Sequence, residues 1–387
     1  MNTIPPILYR GSVKNVRGVV SDPNLLFEFS DRFSVFDWGE MPDQLEDKGV
    51  SLAIMGKCFF KHFENTDFWK KLSQSKVLEE KFDPHFLRTL WKSPLYEQFS
   101  KNGLKHHAVL NGDDKDIWKS PHLEVKNINI YKPKEAKDGL DYSFYKSRPV
   151  DSLVPLEIIF RLGLVPGNSL SKRIGSDFVA WNNHGFDEIP KLGFLNKPYI
   201  DFSTKLEKGD RYLSKDEAIN LSGLSFSEHT ELTIFTQLLS LNLYLFHKEL
   251  NLELWDGKIE VAFIKDQNKP DSIDRCFMLV DSVGIDELRL RYNDKSFSKE
   301  FLREVYKTSK WFKDLEASKT EAQSTGGDFK LICQNKFQSW PLPLSPEVKK
   351  KAEALYRSFA NEVSEKVIGE RFFGEEYNLK TYSERYL

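Results

Sequence analysis

The stretch LELWDGKIEVAF, Leu252 to Phe263, sets Asp256, Lys258 and Glu260 at every second position, with Trp255, Gly257, Ile259 and Val261 between them. Side chains of a strand alternate between its two faces, so as a strand this segment carries three charges on one face and a largely apolar other face. Charges are costly to remove from water unless they are paired or hold an ion. A fold containing such a strand needs a sheet with one packed side and one wet, charged side, which suits the lining of a functional cleft. The competing reading is a hairpin. Asp-Gly is a favoured two-residue turn, and the chain would then reverse at Asp256-Gly257 and leave Lys258 and Glu260 simply exposed.

The neighbouring segments supply partners. SLVPLEIIFRLGLVPG reads as a strand with a strong buried side. SFSEHTELTIFTQLLSLNLYLFHKEL gives the clearest helix: Ser225 and Glu228 have capping-box spacing, and Leu232, Phe235, Leu239, Leu243 and Phe246 recur at helical intervals. Residues 7 to 36 read as short strands with a reversal near Asp22 to Asn24, followed by a helix from Gly49 to Phe63. A last helix opens at Ser345 with Pro346 behind it and stops near Gly369. Residues 66 to 150 read as irregular and aromatic, with a helix around Pro84 to Trp91 and a turn-rich surface insertion at NGDDKDIWKSPH. Strands and helices without regular alternation favour an α+β fold with antiparallel sheets and flanking helices. The 387 residues suggest two lobes, 1–152 and 153–387.

Charge and cysteine content narrow the function classes. With 56 basic against 58 acidic side chains, the chain lacks the basic excess that nonspecific nucleic-acid or membrane-surface binding requires. Neither kind of partner is expected. The three cysteines, Cys58, Cys276 and Cys333, are far apart and fall in no metal-ligand spacing, which points to a reducing, cytoplasmic compartment. The opening MNTIPPILYRG lacks a signal-peptide pattern, and no apolar run is long enough to span a bilayer.

There is no Walker loop, GxGxxG or HExxH, and the eight histidines are scattered, with His106 and His107 adjoining. What remains are charges inside apolar strands. Glu157 and Arg161 lie four apart on one strand face, forming either an intrastrand ion pair or part of a site. After them, Gly167, Asn168 and Ser169 form a turn able to offer backbone N–H groups and a hydroxyl to phosphate. In CFMLVDSVGIDELRLRY, Asp281 ends an apolar run, and Asp286 and Arg289 follow. Asp281 is either a turn residue or, with Glu260 on a neighbouring strand, a carboxylate pair sufficient for magnesium.

In order and in residues, these segments resemble the phosphoribosylaminoimidazole-succinocarboxamide synthase (SAICAR synthetase) family over most of the chain. LYRGSVKNV resembles that family's opening hairpin over the ATP phosphates, and DKG at 47 to 49 its helix-starting lysine-glycine. VPLEIIFR with GNSLSKRIG is similar to its ribotide-binding strand and loop, and STKLEKGD at 203 to 210 to its STKxExxD segment. DGKIE, VDSVGIDELR, SFSKEFLREVY and WPLPLSPEV follow in the family's order.

The resemblance implies a two-lobed fold with an ATP cleft between the lobes, and an ATP- and magnesium-dependent ligase. It would join L-aspartate to carboxyaminoimidazole ribotide (CAIR) through an acyl phosphate, with small molecules as its substrates and a homo-oligomer left open. By the same resemblance Lys14, Lys205 and Glu260 serve ATP, and Glu260 and Asp281 hold magnesium. Arg161, Ser169, Arg289 and Asp210 bind substrate, and Glu157, Asp256 and Lys258 are catalytic. Ser12, Asn168, Ser282, Glu287 and Glu300 depart from the family pattern, at positions where nucleotide or substrate is read. The alternatives are a related ligase with a different acceptor and a catalytically silent nucleotide binder.

Overall fold

The alternating stretch is one strand. In a computed structural model of the chain, which describes residues 4–110, 112, 115–136, 139–166, 168–207, 209–266 and 274–387, the strand Glu253–Lys265 runs straight through Asp256-Gly257. The hairpin reading therefore does not hold. The fold is α+β, and among the described residues the strands named below pair antiparallel.

The described chain forms two compact units, one of residues 1–58, 109–125 and 294–387, the other of residues 59–108 and 126–293. Neither has a boundary at residue 152, since the chain passes between units at four points.

In the second unit, Glu253–Lys265 pairs on one side with Leu156–Leu164, which pairs in turn with Gly193–Thr204 and then with Tyr212–Leu213. On its other side it pairs with Leu288–Tyr292, and further along with Arg275–Val280. The helix Phe226–Lys248 packs on this sheet. Its capping box is formed as the sequence indicates: Glu228 N–H donates to Ser225 Oγ, and Ser225 N–H to the Glu228 carboxylate. Trp255, Ile259 and Val261 are buried on the apolar face. Phe194 bridges from Trp255, at 4.7 Å between ring centroids, to Tyr244 of the helix.

The segment after residue 65 is more ordered than its sequence suggests. Four short helices, Thr66–Leu72, Lys76–Lys81, Pro84–Trp91 and Pro94–Asn102, follow one another, each started by a side-chain cap from Asn65, Ser75, Asp83 or Ser93. Trp69 packs on Phe99 at 4.8 Å, and Phe99 on Phe235 of the long helix at 5.5 Å. Helices of six to nine residues span too few turns to show a period, so their aromatic residues read as irregular.

The first unit carries a four-stranded sheet of Ile7–Arg10, Lys14–Arg17, Asn24–Phe29 and His122–Lys126. Its long helix Pro346–Ile368 has Ser345 as N-cap and Gly369, at φ 73°, as C-cap, in agreement with the sequence reading. The helix expected from Gly49 to Phe63 is Lys48–Glu64. Of the insertion NGDDKDIWKSPH, Asn111, Asp113 and Asp114 lie outside the described residues, and Lys115–Trp118 is a short helix with Trp118 buried.

Candidate active site

Antiparallel registers bring the charged positions of separate segments side by side. Asp256 stands opposite Arg289 on one flank and Arg161 on the other, and Arg161 stands opposite Tyr199. In the next row on this face Lys258 is opposite Ile159, itself opposite Asp201. One row further the register sets Glu260 beside Glu157, which is opposite Ser203. Period-two alternation repeated on neighbouring strands makes one polar face from residues that are over a hundred positions apart.

Adjacent carboxylates at Glu157 and Glu260 would repel, and Lys205 lies between them. Its Nζ is 3.1 Å from Glu157 Oε1 and 2.5 Å from Glu260 Oε1. Lys258 Nζ donates to the same Glu157 oxygen at 2.8 Å. Burial works to raise the Glu157 pKa, but the two ammonium groups outweigh it and hold the carboxyl below its ordinary range. Burial works to lower the pKa of both lysines, and the carboxylates around them keep each above the usual lysine value. Glu157 and the two lysines are thus each held in the ionised form by their neighbours.

The second cluster is cationic. Arg289 donates to Asp256 Oδ2, while Arg161 Nη2 donates to Ser169 Oγ at 3.1 Å and to Tyr212 OH at 3.3 Å. Glu157 and Arg161 therefore have different partners, and the intrastrand ion pair is not formed. Ser169 begins the helix Ser169–Ile174, whose N-cap is Asn168. The Asn168 Oδ1 accepts from Ser171 N at 2.8 Å and its Nδ2 donates to Val165 O at 2.7 Å, so this departure from the family pattern does capping work. Gly167, the other candidate of that turn, lies outside the described residues.

Asp281 directly follows the strand Arg275–Val280, whose Val280 is opposite Glu260, so the two carboxylates proposed for a metal belong to adjacent strands. Its backbone is left-handed, at φ 66°, and its carbonyl accepts from the His107 ring at 2.8 Å. Among the described residues, no group of three or more His, Cys, Asp or Glu gathers as a possible metal cage. Two carboxylates from neighbouring strands still suit a small hard cation that keeps water and phosphate in its shell.

Asp210 is exposed in the connection between Gly193–Thr204 and Tyr212–Leu213. Lys14 belongs to the first unit, at the start of Lys14–Arg17, with its ammonium 4.2 Å from the centre of the Phe27 ring. Ser12 is exposed in the same unit, and Glu300 there accepts from Arg303 at 2.8 Å. Asp201, Ser203, Tyr212 and His107 are neighbours of the site that the sequence reading did not single out. Ser203 stands opposite Glu157, and the other three meet the site through side-chain bonds that show only once the chain is folded.

A family model described as SAICAR synthetase matches residues 7–318. A provisionally named phosphoribosylaminoimidazole-succinocarboxamide synthase of Archaeoglobus fulgidus is 33% identical over 371 residues, covering 94% of this chain and 95% of its own. The synthase of Thermoplasma acidophilum is 26% identical, over 83% of this chain and 88% of its own. Among solved structures, a SAICAR synthase has TM-score 0.53 at 17% identity, covering 97% of this chain and 98% of its own. A Type-2 SAICAR synthetase in complex with ADP has TM-score 0.51 at 17% identity, covering 95% and 99%. The solved structures share the fold, while the family match and the Archaeoglobus relative extend over most of the sequence: the chain belongs to the SAICAR synthetase family.

Proposed function

We propose that this chain joins L-aspartate to the carboxylate of CAIR at the expense of ATP, giving SAICAR, ADP and phosphate, as a step of purine biosynthesis. The observation that carries the reading is the linked set Glu157, Lys205, Lys258 and Glu260, beside Asp256, Arg161 and Arg289 on one sheet face, in a member of this family. The ADP complex of the Type-2 SAICAR synthetase supports nucleotide binding here.

In this reaction the CAIR carboxylate attacks the γ-phosphorus of ATP, ADP leaves, and an acyl phosphate forms. The aspartate amine then attacks the acyl carbon, the carbon–oxygen bond to phosphate breaks, and the amine gives up a proton. Lys205 and Lys258, held ionised by Glu157 and Glu260, would supply fixed positive charge where the phosphoryl oxygens gather it. Their places are set in advance by the carboxylates, so little reorganisation is needed during transfer. Asp256, oriented by Arg289, would line the reacting carboxylate or the aspartate. Arg161 and Ser169, joined at 3.1 Å, would grip the ribotide phosphate, together with Arg289.

Magnesium belongs to the same proposal, with Glu260 and Asp281 as its protein ligands. When bound, it would neutralise charge on the ATP phosphates. Lys14 as a phosphate cation and Asp210 at the substrate rest on the family resemblance. A cytoplasmic setting accords with three cysteines in no metal-ligand spacing. No helix among the described residues is long and apolar enough to cross a membrane. Because Asn168 is explained as a helix cap, its departure does not argue for a different acceptor.

The test is incubation with ATP, magnesium, aspartate and CAIR, following ADP and SAICAR, with Glu260→Ala alongside. SAICAR formed by the wild type and lost in the variant is the expected result. ATP binding without product would overturn the reading.

A further inference from the structure

The proposed phosphate grip leaves part of its surroundings unused. Asp201, on the strand next to Arg161, has a side chain only 4% exposed. Its Oδ2 accepts a hydrogen bond from Arg173 Nη2 and stands 3.8 Å from Arg161 Nη2. Arg173 also lays its guanidinium 3.7 Å from the centre of the Tyr212 ring. The Tyr212 hydroxyl meets both Arg161 Nη2, at 3.3 Å, and Ser169 Oγ, at 3.0 Å. Two guanidinium groups therefore flank one buried carboxylate, and two hydroxyls bond the inner of them, that of Arg161.

That count leaves a positive excess, because one carboxylate offsets one guanidinium. Arg161 Nε is also buried without a hydrogen-bond partner among the described residues, so this guanidinium keeps a donor to spare. The two arginines are unequal: Arg161 is buried, whereas the Arg173 side chain is 32% exposed and can meet a ligand arriving from solvent. Asp256, the other carboxylate opposite Arg161, is already engaged by Arg289.

We propose that Arg173 is a second guanidinium ligand of the substrate's phosphate monoester, and that Asp201 and Tyr212 are positioning residues that aim Arg161 and Arg173 at the same anion. The identity of the substrate rests on the ribotide reading above; the chemistry recognised, a phosphate monoester, rests on the cluster alone. Such a group carries nearly two negative charges at neutral pH, which suits two guanidinium groups. Without ligand, Asp201 keeps the like charges together. With ligand, the phosphate oxygens take over part of that pairing, and Tyr212 holds the planar Arg173 fork in place by stacking.

The experiment measures ribose 5-phosphate binding to the whole chain by calorimetry, and separately the KM values for CAIR, ATP and aspartate. Wild type is compared with Arg173→Ala, Arg173→Lys and Asp201→Asn, with a thermal melt of each. Arg173→Ala is expected to weaken ribose 5-phosphate about tenfold or more, the loss of one charge-assisted hydrogen bond, and to raise the CAIR KM alike. The KM values for ATP and aspartate should stay unchanged. Arg173→Lys should restore only part, since an ammonium lacks the fork. Asp201→Asn should raise the CAIR KM selectively while the protein still melts cooperatively. An Arg173→Ala variant with wild-type affinity and wild-type CAIR KM would overturn the proposal, as would a wild type that binds no phosphate monoester. Wild type that binds ribose 5-phosphate but forms no SAICAR would sink the ligase reading and leave the cluster standing.

Discussion

Gly257 shows why a residue that reads as a turn can belong to a strand. A Cβ added there would lie 2.5 Å from Phe160 Cζ and 2.8 Å from Leu288 Cδ2, so the side chains of two neighbouring strands occupy the space a larger residue would need. Gly257→Ala should cost about 1–3 kcal/mol by overpacking and lower the melting temperature; an unchanged melt would show that Phe160 and Leu288 yield freely. On the opposite face, Glu157 holds two ammonium groups, and its replacement has a pH signature. Its folded pKa is depressed, so its stabilisation is present above the ordinary carboxylate value of about 4.3 and is lost as pH falls through the folded value. The lysines' folded pKa values are raised, so their share is present below about 10.4 and is lost as pH rises past it. Glu157→Gln should therefore destabilise the protein by about 3 kcal/mol near neutrality, and by less in acid, as read by urea unfolding across pH. A pH-independent difference would mean that packing, rather than charge, is what Glu157 contributes. These residues were legible because charges inside apolar strands are conspicuous. Asp201, Tyr212 and Arg173 were not, because a single polar residue in a strand or a short helix is ordinary until its side-chain partners are known.

Elements were legible in proportion to their length. The helix Phe226–Lys248 has enough turns for its period and its cap to agree, and Glu228 serves twice, capping the helix and accepting from the buried Arg275 at 2.9 Å. Of the four short helices between residues 66 and 102 only Pro84–Trp91 was legible, the others being too short to stand out, and their packing against Phe235 and Tyr244 is tertiary. The segment around His107 is a further case. Its backbone bonds to Leu279 both ways, His107 N to Leu279 O at 3.0 Å and Leu279 N to Lys105 O at 2.9 Å, and this places the His107 ring on the Asp281 carbonyl. A left-handed non-glycine residue is held by its surroundings, and here His107 supplies one of the restraints. His107→Ala should raise the magnesium concentration for half-maximal activity about tenfold, the usual scale for a residue behind a metal ligand. His107→Gln, which keeps a donor, should recover part of this. Equal magnesium requirements in all three proteins would remove His107 from any role at Asp281.

At the scale of the molecule, fold class was readable from strand and helix patterns, whereas the interleaving of the chain was not. In the first unit, residues near 40 meet residues beyond 300. Phe36 packs on Phe312 at 4.7 Å and Trp38 on Trp311 at 5.3 Å, while Leu344 N donates to Asp43 at 2.6 Å and Arg357 Nε to Asp47 at 2.8 Å. Contacts so far apart in sequence leave no local pattern, and a division by length alone falls near residue 152. The two divisions predict different fragments. If the compact units are the folding units, residues 1–152 expressed alone lack the helix whose Trp311 packs on Trp38 and should show no cooperative melt. Residues 153–387 alone would lack Trp69 and Phe99 against the long helix, exposing an aromatic surface that favours aggregation. Circular dichroism melts of the separate fragments, and of the two co-expressed, decide the matter. Cooperative folding only on co-expression is the expected result. A cooperative melt of residues 1–152 alone would establish a lobe ending near Ser152, because it would show that the contacts with residues 311–357 are additions to a unit already complete without them.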